Sequence, residues 1–241
     1  NKNHAVHSLQ DQAPGGVVFD LTGNRVQLNE HIVSHNFSDV KRQEIEKKGG
    51  EVMVCRVDIA DVGQMKEIIG QAEERYGQLN GVIHAAGIND ISSSKVLMEL
   101  GREESEWHFQ PKVYGLYVLE KILAGRNLDF CLLTSSIASL TAGIGLSAYT
   151  SSSIFMDAFA RRKNINGNSF PWIALNWVGS DPGETVEAFK RVMSVEGLEQ
   201  VVFFQGDLQQ LIRERIELKT EDGKARLGMG TGAQGANDKS E

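Results

Sequence analysis

The sequence has few of the residues that would indicate disulfide, metal or membrane chemistry. Only two of its 241 residues are cysteines. Both of them, Cys55 and Cys131, lie in apolar runs, which favours buried thiols over a disulfide. The six histidines do not cluster at metal-ligand spacing. No apolar run approaches the roughly 20 residues of a membrane span, and the first ten residues are too polar for a signal peptide. These absences favour a reducing, cytoplasmic setting.

Basic residues are also too few for a nucleic-acid surface. The formal net charge is −7, and no basic stripe offsets it, which argues against nucleic acid as a partner. Apolar residues make up 41% of the chain and charged residues 24%, values typical of a soluble globular protein. The length is sufficient for one full α/β domain.

Strand-like apolar runs alternate with helical patterns along the chain. This alternation predicts βαβ units and a Rossmann-like, doubly wound parallel sheet covered on both faces. We expect a linker over residues 1–15, a domain over 16–220 and a flexible glycine-rich linker over 221–241. The predicted strands cover residues 17–21, 51–57, 81–84, 130–133, 172–177 and 201–204, and the predicted helices cover 38–48, 112–123, 149–162, 208–218 and a segment capped by Asp61 that runs to Tyr76.

The residues with chemical potential follow the predicted strands. Ligands of such sheets bind beyond the carboxyl ends of the strands, and Ser136 and Tyr149 flank one of those ends. A serine at a strand end and a tyrosine on the next helix can both point at one carbonyl oxygen. One group then gives a proton and the other donates a hydrogen bond, which is what the reduction of a ketone requires.

Several segments, taken together and in order, resemble the ketoreductase domains of modular polyketide synthases and of hybrid nonribosomal peptide–polyketide synthetases. These domains are members of the short-chain dehydrogenase/reductase superfamily. The resemblance spans roughly residues 48–215. The matching segments are 71–87, 111–115, 135–139, Tyr149, 155–159, 176–177, 200–202 and 206–209.

The resemblance implies roles for three side chains. Tyr149 would donate the proton to the carbonyl oxygen, and Ser136 would hydrogen-bond the same oxygen. Lys112 would lower the pKa of the phenol, which makes it a useful acid near neutral pH, and would also hold the cofactor ribose. Most short-chain dehydrogenases carry a lysine four residues after the tyrosine, and these ketoreductases usually carry an asparagine there. This chain has Ser153, which could bind the same water or backbone group, but less well.

The resemblance also implies NADPH as the cofactor. Asp58 and Ile59 would contact its adenine, and Ala85, Ala86 and Gly87 would flank its ribose and nicotinamide. Small residues there allow the cofactor to approach the backbone closely. The other cofactor-binding residues that the resemblance implies are Gly23, Val178 and Gly179.

The function that the resemblance implies is the NADPH-dependent reduction of a ketoacyl thioester to a hydroxyacyl thioester. The substrate would be attached to the phosphopantetheine arm of an acyl carrier protein, within a synthase that has neighbouring domains. One alternative is a catalytically silent interaction module with a ketoreductase shape that no longer binds NADPH. A free-standing dehydrogenase fits less well, because Ser153 stands where such an enzyme has its lysine.

Parts of the family pattern are missing from the sequence. After Thr22 and Gly23, residues 24–28 replace the glycines of the phosphate-binding turn. No apolar run supplies the second strand, and its loss is expected to leave two neighbouring strands unpaired. The lid of some twenty residues after Trp177 is short as well. Either the domain has lost its hold on the cofactor, or the sequence joins segments of a longer chain. The intact Ser136, Tyr149 and Lys112 favour the second interpretation.

Other residues have a simpler explanation. Asp58 could cap a turn instead of contacting adenine. His84 is interpreted as a buried core histidine, not as a base.

Overall fold

The computed structural model describes residues 15–20, 43, 45–88, 95–177 and 182–216. Its strands are β1 (Gly15–Asp20), β2 (Glu51–Arg56), β3 (Gly81–His84), β4 (Phe130–Ser136), β5 (Trp172–Trp177) and β6 (Gln200–Phe203). Its α-helices are α1 (Val62–Tyr76), α2 (Arg102–Phe109), α3 (Gly115–Leu123), α4 (Ala138–Thr141), α5 (Ser147–Ile165), α6 (Pro182–Met193) and α7 (Leu208–Ile216). A π-helical turn, Gln110–Tyr114, joins α2 to α3.

Every paired strand is parallel to its neighbour, as the alternation of strands and helices predicts. Strands β3, β4, β5 and β6 form one sheet in that order, and β1 and β2 form a separate pair. The expectation that two strands are left unpaired is wrong. β1 pairs directly with β2 over six residues, from Gly15 opposite Glu51 to Asp20 opposite Arg56, so their backbone groups satisfy each other.

Both faces of the four-stranded sheet are covered, as in a doubly wound fold. Along β4, Cys131 and Leu133 enter a large apolar core with α1, α3 and α5, while Leu132 enters a smaller core on the other face. Burial raises the pKa of the Cys131 thiol, consistent with an inert core residue. The smaller core includes Val192 of α6. Such two-sided burial explains why β4 and β5 are continuous apolar runs.

Helix α1 begins and ends where the sequence predicts. The carboxylate of Asp61 accepts hydrogen bonds from the backbone nitrogens of Gly63, at 2.8 Å, and Gln64, at 3.0 Å. These two bonds satisfy amide groups that a helix N-terminus otherwise leaves unpaired. The apolar face predicted at helical spacing is buried at Met65 and Ile69.

The helix predicted to begin at Lys112 begins ten residues earlier, at Arg102. Pro111 lacks a backbone N–H and usually ends a helix, which is why a start at Lys112 is expected. Here the chain passes the proline by widening into the π-helical turn, where the backbone nitrogen of Gly115 donates to the carbonyl of Gln110. The helical run therefore continues, and Lys112 lies inside it.

Some predictions fall outside the described residues. These are the two linkers, apart from residue 15, the turn after β1, the predicted loss of the second strand, residues 38–42 and 44 of the predicted helix, and residues 178–181 after Trp177. Residues 45–47 are helical, and they end at Gly49, whose φ of +85° suits a glycine helix stop. None of the helices in the described ranges is long and apolar enough to cross a membrane.

Candidate active site

The three residues predicted to act on the carbonyl oxygen lie on three different elements. Tyr149 lies in the first turn of α5, and Lys112 lies in the π-helical turn between α2 and α3. Ser136 is the last residue of β4, so it lies at the carboxyl end of a central strand. Ligands of parallel α/β sheets bind at this edge.

The ammonium group of Lys112 lies against the ring of Tyr149. Its Nζ is 4.0 Å from the ring centroid, within the range of a cation–π contact. Lys112 is only 3% exposed. Burial lowers the pKa of Lys112 from 10.5 to about 8, while the charge of Asp157 acts in the opposite direction. The ammonium is therefore largely protonated at neutral pH, because its pKa lies about one unit above 7.

Ser153 is the hydrogen-bond partner of this buried ammonium. Lys112 Nζ donates to Ser153 Oγ at 2.9 Å, and Ser153 Oγ donates in turn to the carbonyl of Tyr149 at 2.9 Å. Ser153 lies one helical turn after Tyr149 and is completely buried. The serine that departs from the family pattern thus contacts the lysine directly.

His108, which sequence reasoning missed, also contacts the tyrosine. The two rings meet edge to face, with centroids 5.7 Å apart. Burial, together with the charge of Lys112, lowers the pKa of His108. His108 lies four residues before Lys112, and that spacing is the only signal the sequence offers.

His84, at the end of β3, is buried as expected, but neither of its ring nitrogens has a hydrogen-bond partner among the described residues. Burial lowers its pKa to about 4, and the charge of Lys112 acts in the same direction. Its imidazole is therefore neutral at physiological pH, which fits a packing role beside the lysine.

The phenol of Tyr149 has no hydrogen bond to any described residue, and the side chain is half-buried. Its hydroxyl is therefore available to a ligand. Ser136 is buried, and its Oγ accepts a hydrogen bond from the backbone nitrogen of Ala138 at 3.2 Å. Ser136 connects to the others through its neighbour Ser135, whose hydroxyl donates to the carbonyl of Ser153 at 3.2 Å. The convergence of both hydroxyls on one substrate oxygen stays a prediction.

Two residues expected at the adenine have other contacts. The carboxylate of Asp58 accepts a hydrogen bond from the backbone nitrogen of Ala60 at 2.9 Å, so it caps a turn after β2. Ile59 is completely buried in the main core. Neither the backbone nor the side chain of Ile59 is exposed in this arrangement, whereas Asp58 is half-buried. Both assignments stay predictions.

Of the residues expected at the cofactor's ribose and nicotinamide, Gly87 lies against Lys112. Ala85 and Gly87 are exposed, and Ala86 is buried. A Cβ atom on Gly87 would lie 3.1 Å from Cε of Lys112, tighter than ordinary packing, so the absence of a side chain keeps this approach open.

The donor set of Lys112 also fits a ribose. An ammonium group has three donors, and the described contacts use one of them, the bond to Ser153. The two remaining N–H groups suit the hydroxyls of a ribose. Gly23, Val178 and Gly179, the other predicted cofactor contacts, lie outside the described residues. No cluster of histidine, cysteine or carboxylate side chains within the described ranges could hold a metal ion.

Comparison with known proteins identifies the family. A family model for the KR domain matches residues 26–180. Polyketide synthase PksN of Bacillus subtilis (strain 168) is 29% identical over 165 residues, which cover 66% of this chain and 3% of PksN. Polyketide synthase PksM of the same organism is 31% identical over 146 residues, covering 58% of this chain and 3% of PksM. The chain thus spans a small part of the curated relatives it matches.

Solved structures show the same fold. An N-terminal ketoreductase from the macrolactin assembly line superposes with a TM-score of 0.65 at 25% identity, covering 73% of this chain and 38% of that one. A ketoreductase domain from the bacillaene assembly line gives a TM-score of 0.65 at 24% identity, covering 87% of this chain and 54% of that one. Since the family model also matches more than half of its residues, the chain belongs to the KR domain family, the ketoreductase domains of polyketide synthases with the short-chain dehydrogenase/reductase fold.

Proposed function

We propose that this chain reduces a ketoacyl thioester, held on the phosphopantetheine arm of an acyl carrier protein, to a hydroxyacyl thioester. The observation that supports this most strongly is the contact between Lys112, Tyr149 and Ser153 at the carboxyl end of β4. A buried ammonium beside a phenol that has no hydrogen bond to the described residues is suited to proton donation at a carbonyl oxygen. Neighbouring synthase domains would deliver the carrier protein, and the cytoplasm is the proposed compartment.

Each side chain has one task in this proposal. The phenol of Tyr149 gives its proton to the carbonyl oxygen, and the hydroxyl of Ser136 donates a hydrogen bond to the same oxygen. NADPH, when bound, supplies the hydride that reduces the carbonyl carbon. Lys112 holds the cofactor ribose with its free N–H groups and offsets the negative charge that the phenol acquires. Ser153 keeps the ammonium in place.

Substitution of Tyr149 tests the proposal. The purified chain is mixed with NADPH and a β-ketoacyl thioester, and the oxidation of NADPH is followed by absorbance. We expect turnover that Tyr149→Phe lowers by about 10²- to 10⁴-fold, the usual effect of losing an acid catalyst. Tyr117→Phe is the matched control, because Tyr117 is exposed and its ring contacts, with Phe155 and Phe159, survive in phenylalanine. Turnover equal in the wild type and Tyr149→Phe would refute the proposal.

A non-catalytic interaction module is the second candidate. The observation that favours it is the sequence after Gly23, where Asn24 and Arg25 begin a stretch that lacks the family's glycines. Such a module would fold as described here but would not bind NADPH. Calorimetric titration with NADPH separates the two candidates.

A further inference from the structure

A buried polar network lies behind the catalytic groups and centres on Asn176 of β5. Asn176 is completely buried. Its amide nitrogen lies 3.1 Å from Ser135 Oγ, 3.1 Å from the carbonyl oxygen of Ser136, 2.8 Å from Ser139 Oγ and 2.9 Å from Asp157 Oδ2. The amide has only two hydrogens to share among these acceptors. One side chain thus joins β5 to β4, α4 and α5.

Gln200 of β6 fixes the orientation of the central amide. Its Nε2 donates to Asn176 Oδ1 at 3.0 Å and to Asp157 Oδ2 at 3.2 Å. Because the oxygen of Asn176 faces an amide donor, its nitrogen must face the four acceptors. Buried and hydrogen-bonded amides of this kind hold their neighbours in a single arrangement.

The network reaches the proposed catalytic groups by two routes. Asn176 contacts the backbone carbonyl of Ser136 directly. By the second route, Ser135 Oγ accepts from Asn176 and donates to the carbonyl of Ser153, whose hydroxyl binds Lys112 Nζ. A change at Asn176 would therefore move both the serine and the lysine.

Asp157 is the charged member of the network and supports the charge of Lys112. Asp157 lies one helical turn after Ser153 and two after Tyr149, on the same face of α5. The titratable groups that interact with Lys112 in the described structure are His84 of β3, His108 of α2, and Tyr149 and Asp157 of α5. Among these groups, Asp157 is the carboxylate. Its carboxylate also receives bonds from Asn176 and Gln200, and these keep it in position.

We propose that Asn176 and Asp157 are positioning residues for the reduction, with Asn176 fixing Ser136 and Ser153 and Asp157 keeping the Lys112 ammonium charged. This inference rests on the proposed function. It adds a task for two residues that otherwise would merely stabilise the fold.

The central test is Asp157→Asn, which keeps the shape of the side chain and an oxygen that accepts from Asn176, but removes the charge. We expect kcat to fall about tenfold, with the KM values for NADPH and for the thioester changed less than about threefold, as for an effect transmitted through a catalytic group. The alkaline limb of the pH–rate profile should move to lower pH by about half a unit or more, because Lys112 loses its supporting charge. Asp129→Asn, at an exposed aspartate before β4, is the matched control. It should leave kcat and the alkaline limb of the pH–rate profile unchanged.

A second readout does not depend on turnover. The titration of the Lys112 side chain is followed by NMR in the wild type and in Asp157→Asn, with its signal identified by its loss in Lys112→Met. We expect the titration to move to lower pH in Asp157→Asn, even if no ketoacyl thioester is reduced by any form of the chain. If turnover fails but the titration moves, the proposed function is wrong and the coupling stands. An unmoved titration overturns the inference, whatever happens to kcat.

Asn176→Leu tests the part of the proposal that concerns Asn176. We expect Ser136 and Lys112 to lose their support, so that kcat falls about tenfold or more, while the KM for NADPH changes little. If this buried variant does not fold, Gln200→Leu replaces it, because Gln200 is exposed yet supplies the bonds that orient Asn176. Wild-type kcat in a folded Asn176→Leu or in Gln200→Leu would refute the role of Asn176.

Discussion

Burial of the Lys112 ammonium carries a free-energy cost that its surroundings only partly offset. A buried charge is costly unless it is paired and hydrogen-bonded. The partners here are the Ser153 hydroxyl, the Tyr149 ring and the more distant charge of Asp157. Burial still lowers the pKa of Lys112 to about 8. A group held near the pH of the cell in this way is typical of a functional site.

The first residue-scale prediction concerns pH. Because Lys112 loses its proton with a pKa of about 8, we expect kcat for the proposed reduction to decline as pH rises through that value. The stability changes in the opposite direction. Between pH 8 and 10.5 the unfolded chain holds the proton that the folded chain has released, so the free energy of unfolding rises with pH in that window.

The measurement compares the wild type with Lys112→Met by urea unfolding at several pH values. The difference in unfolding free energy, wild type minus variant, should be smallest below pH 8 and should rise towards pH 10.5 by an amount on the order of 3 kcal/mol. A flat difference across this window would show that the Lys112 pKa is not lowered in the fold.

The second residue-scale prediction concerns Ser153. Ser153→Ala removes the hydroxyl that accepts from the buried ammonium, and an unsatisfied buried group of this kind costs about 1–3 kcal/mol. We expect a loss of stability of that size in thermal or urea unfolding, together with a lower kcat. Ser151→Ala is the control, since Ser151 is exposed on the same helix and should tolerate the change. Equal stability of the two variants would contradict the structural role of the Ser153 hydroxyl.

At this scale the sequence predicted some contacts and missed others for identifiable reasons. Lys112 and Tyr149 could be named because they stand in a long family resemblance, and the structure brings them together. Ser153 could be recognised as a departure, but its bond to Lys112 depends on a helix start that the sequence does not reveal. His108 was missed, because a single histidine in a charged segment carries no signal until the helix places it beside Tyr149.

At the scale of the element, the π-helical turn decides where Lys112 points. A proline in a helical pattern predicts a break, and the sequence alone cannot tell a break from a widened turn. The structure shows the widened turn, whose last hydrogen bond spans five residues, from Gly115 to Gln110. Such turns occur mostly as short interruptions of α-helices at functional sites. The error in the predicted helix start and the position of Lys112 therefore have one physical cause.

The loop between Ser136 and Tyr149 contains a strained residue, which allows a prediction at this scale. Ala142 follows α4 with φ of 53° and ψ of −162°, a conformation that favours glycine. Strain of this kind costs about 1–3 kcal/mol. Glycine relieves this strain, but its greater freedom in the unfolded chain cancels part of the gain in stability. We therefore expect Ala142→Gly to stabilise the chain by about 1 kcal/mol in urea unfolding.

Ala124 offers a matched comparison for this substitution. It is an exposed alanine just after α3, with φ of −58° and ψ of 129°, which alanine adopts without strain. Ala124→Gly should lower the stability by about 0.5–1 kcal/mol, because only the unfolded chain gains freedom. If both substitutions destabilise the chain equally, Ala142 is not strained.

At the scale of the whole molecule, the sheet determines where the site lies. The apolar runs of β4 and β5 predicted a parallel sheet buried on both faces, and the two cores confirm it. Because parallel strands place their carboxyl ends at one edge, Ser136 could be assigned to that edge from the sequence. The direct pairing of β1 with β2 could not be predicted, since the sequence pattern does not fix which strands are neighbours in a sheet. Because β1 and β2 pair with each other, unpaired strands are no longer a reason to infer that the sequence joins segments of a longer chain.

The last prediction follows from this, because only binding can decide whether the whole molecule still accepts NADPH. A ligand that binds the folded state raises its stability by about 2.7 kcal/mol at a concentration of 100 times Kd. If the chain is a working ketoreductase, NADPH should therefore raise the melting temperature of the wild type. Lys112→Met should lose most of that rise, because it removes the proposed ribose contact, whereas Lys121→Met, at an exposed lysine of α3, should keep it. If the wild type and both variants melt cooperatively but none responds to NADPH, the chain is an interaction module that has kept the ketoreductase fold without its cofactor.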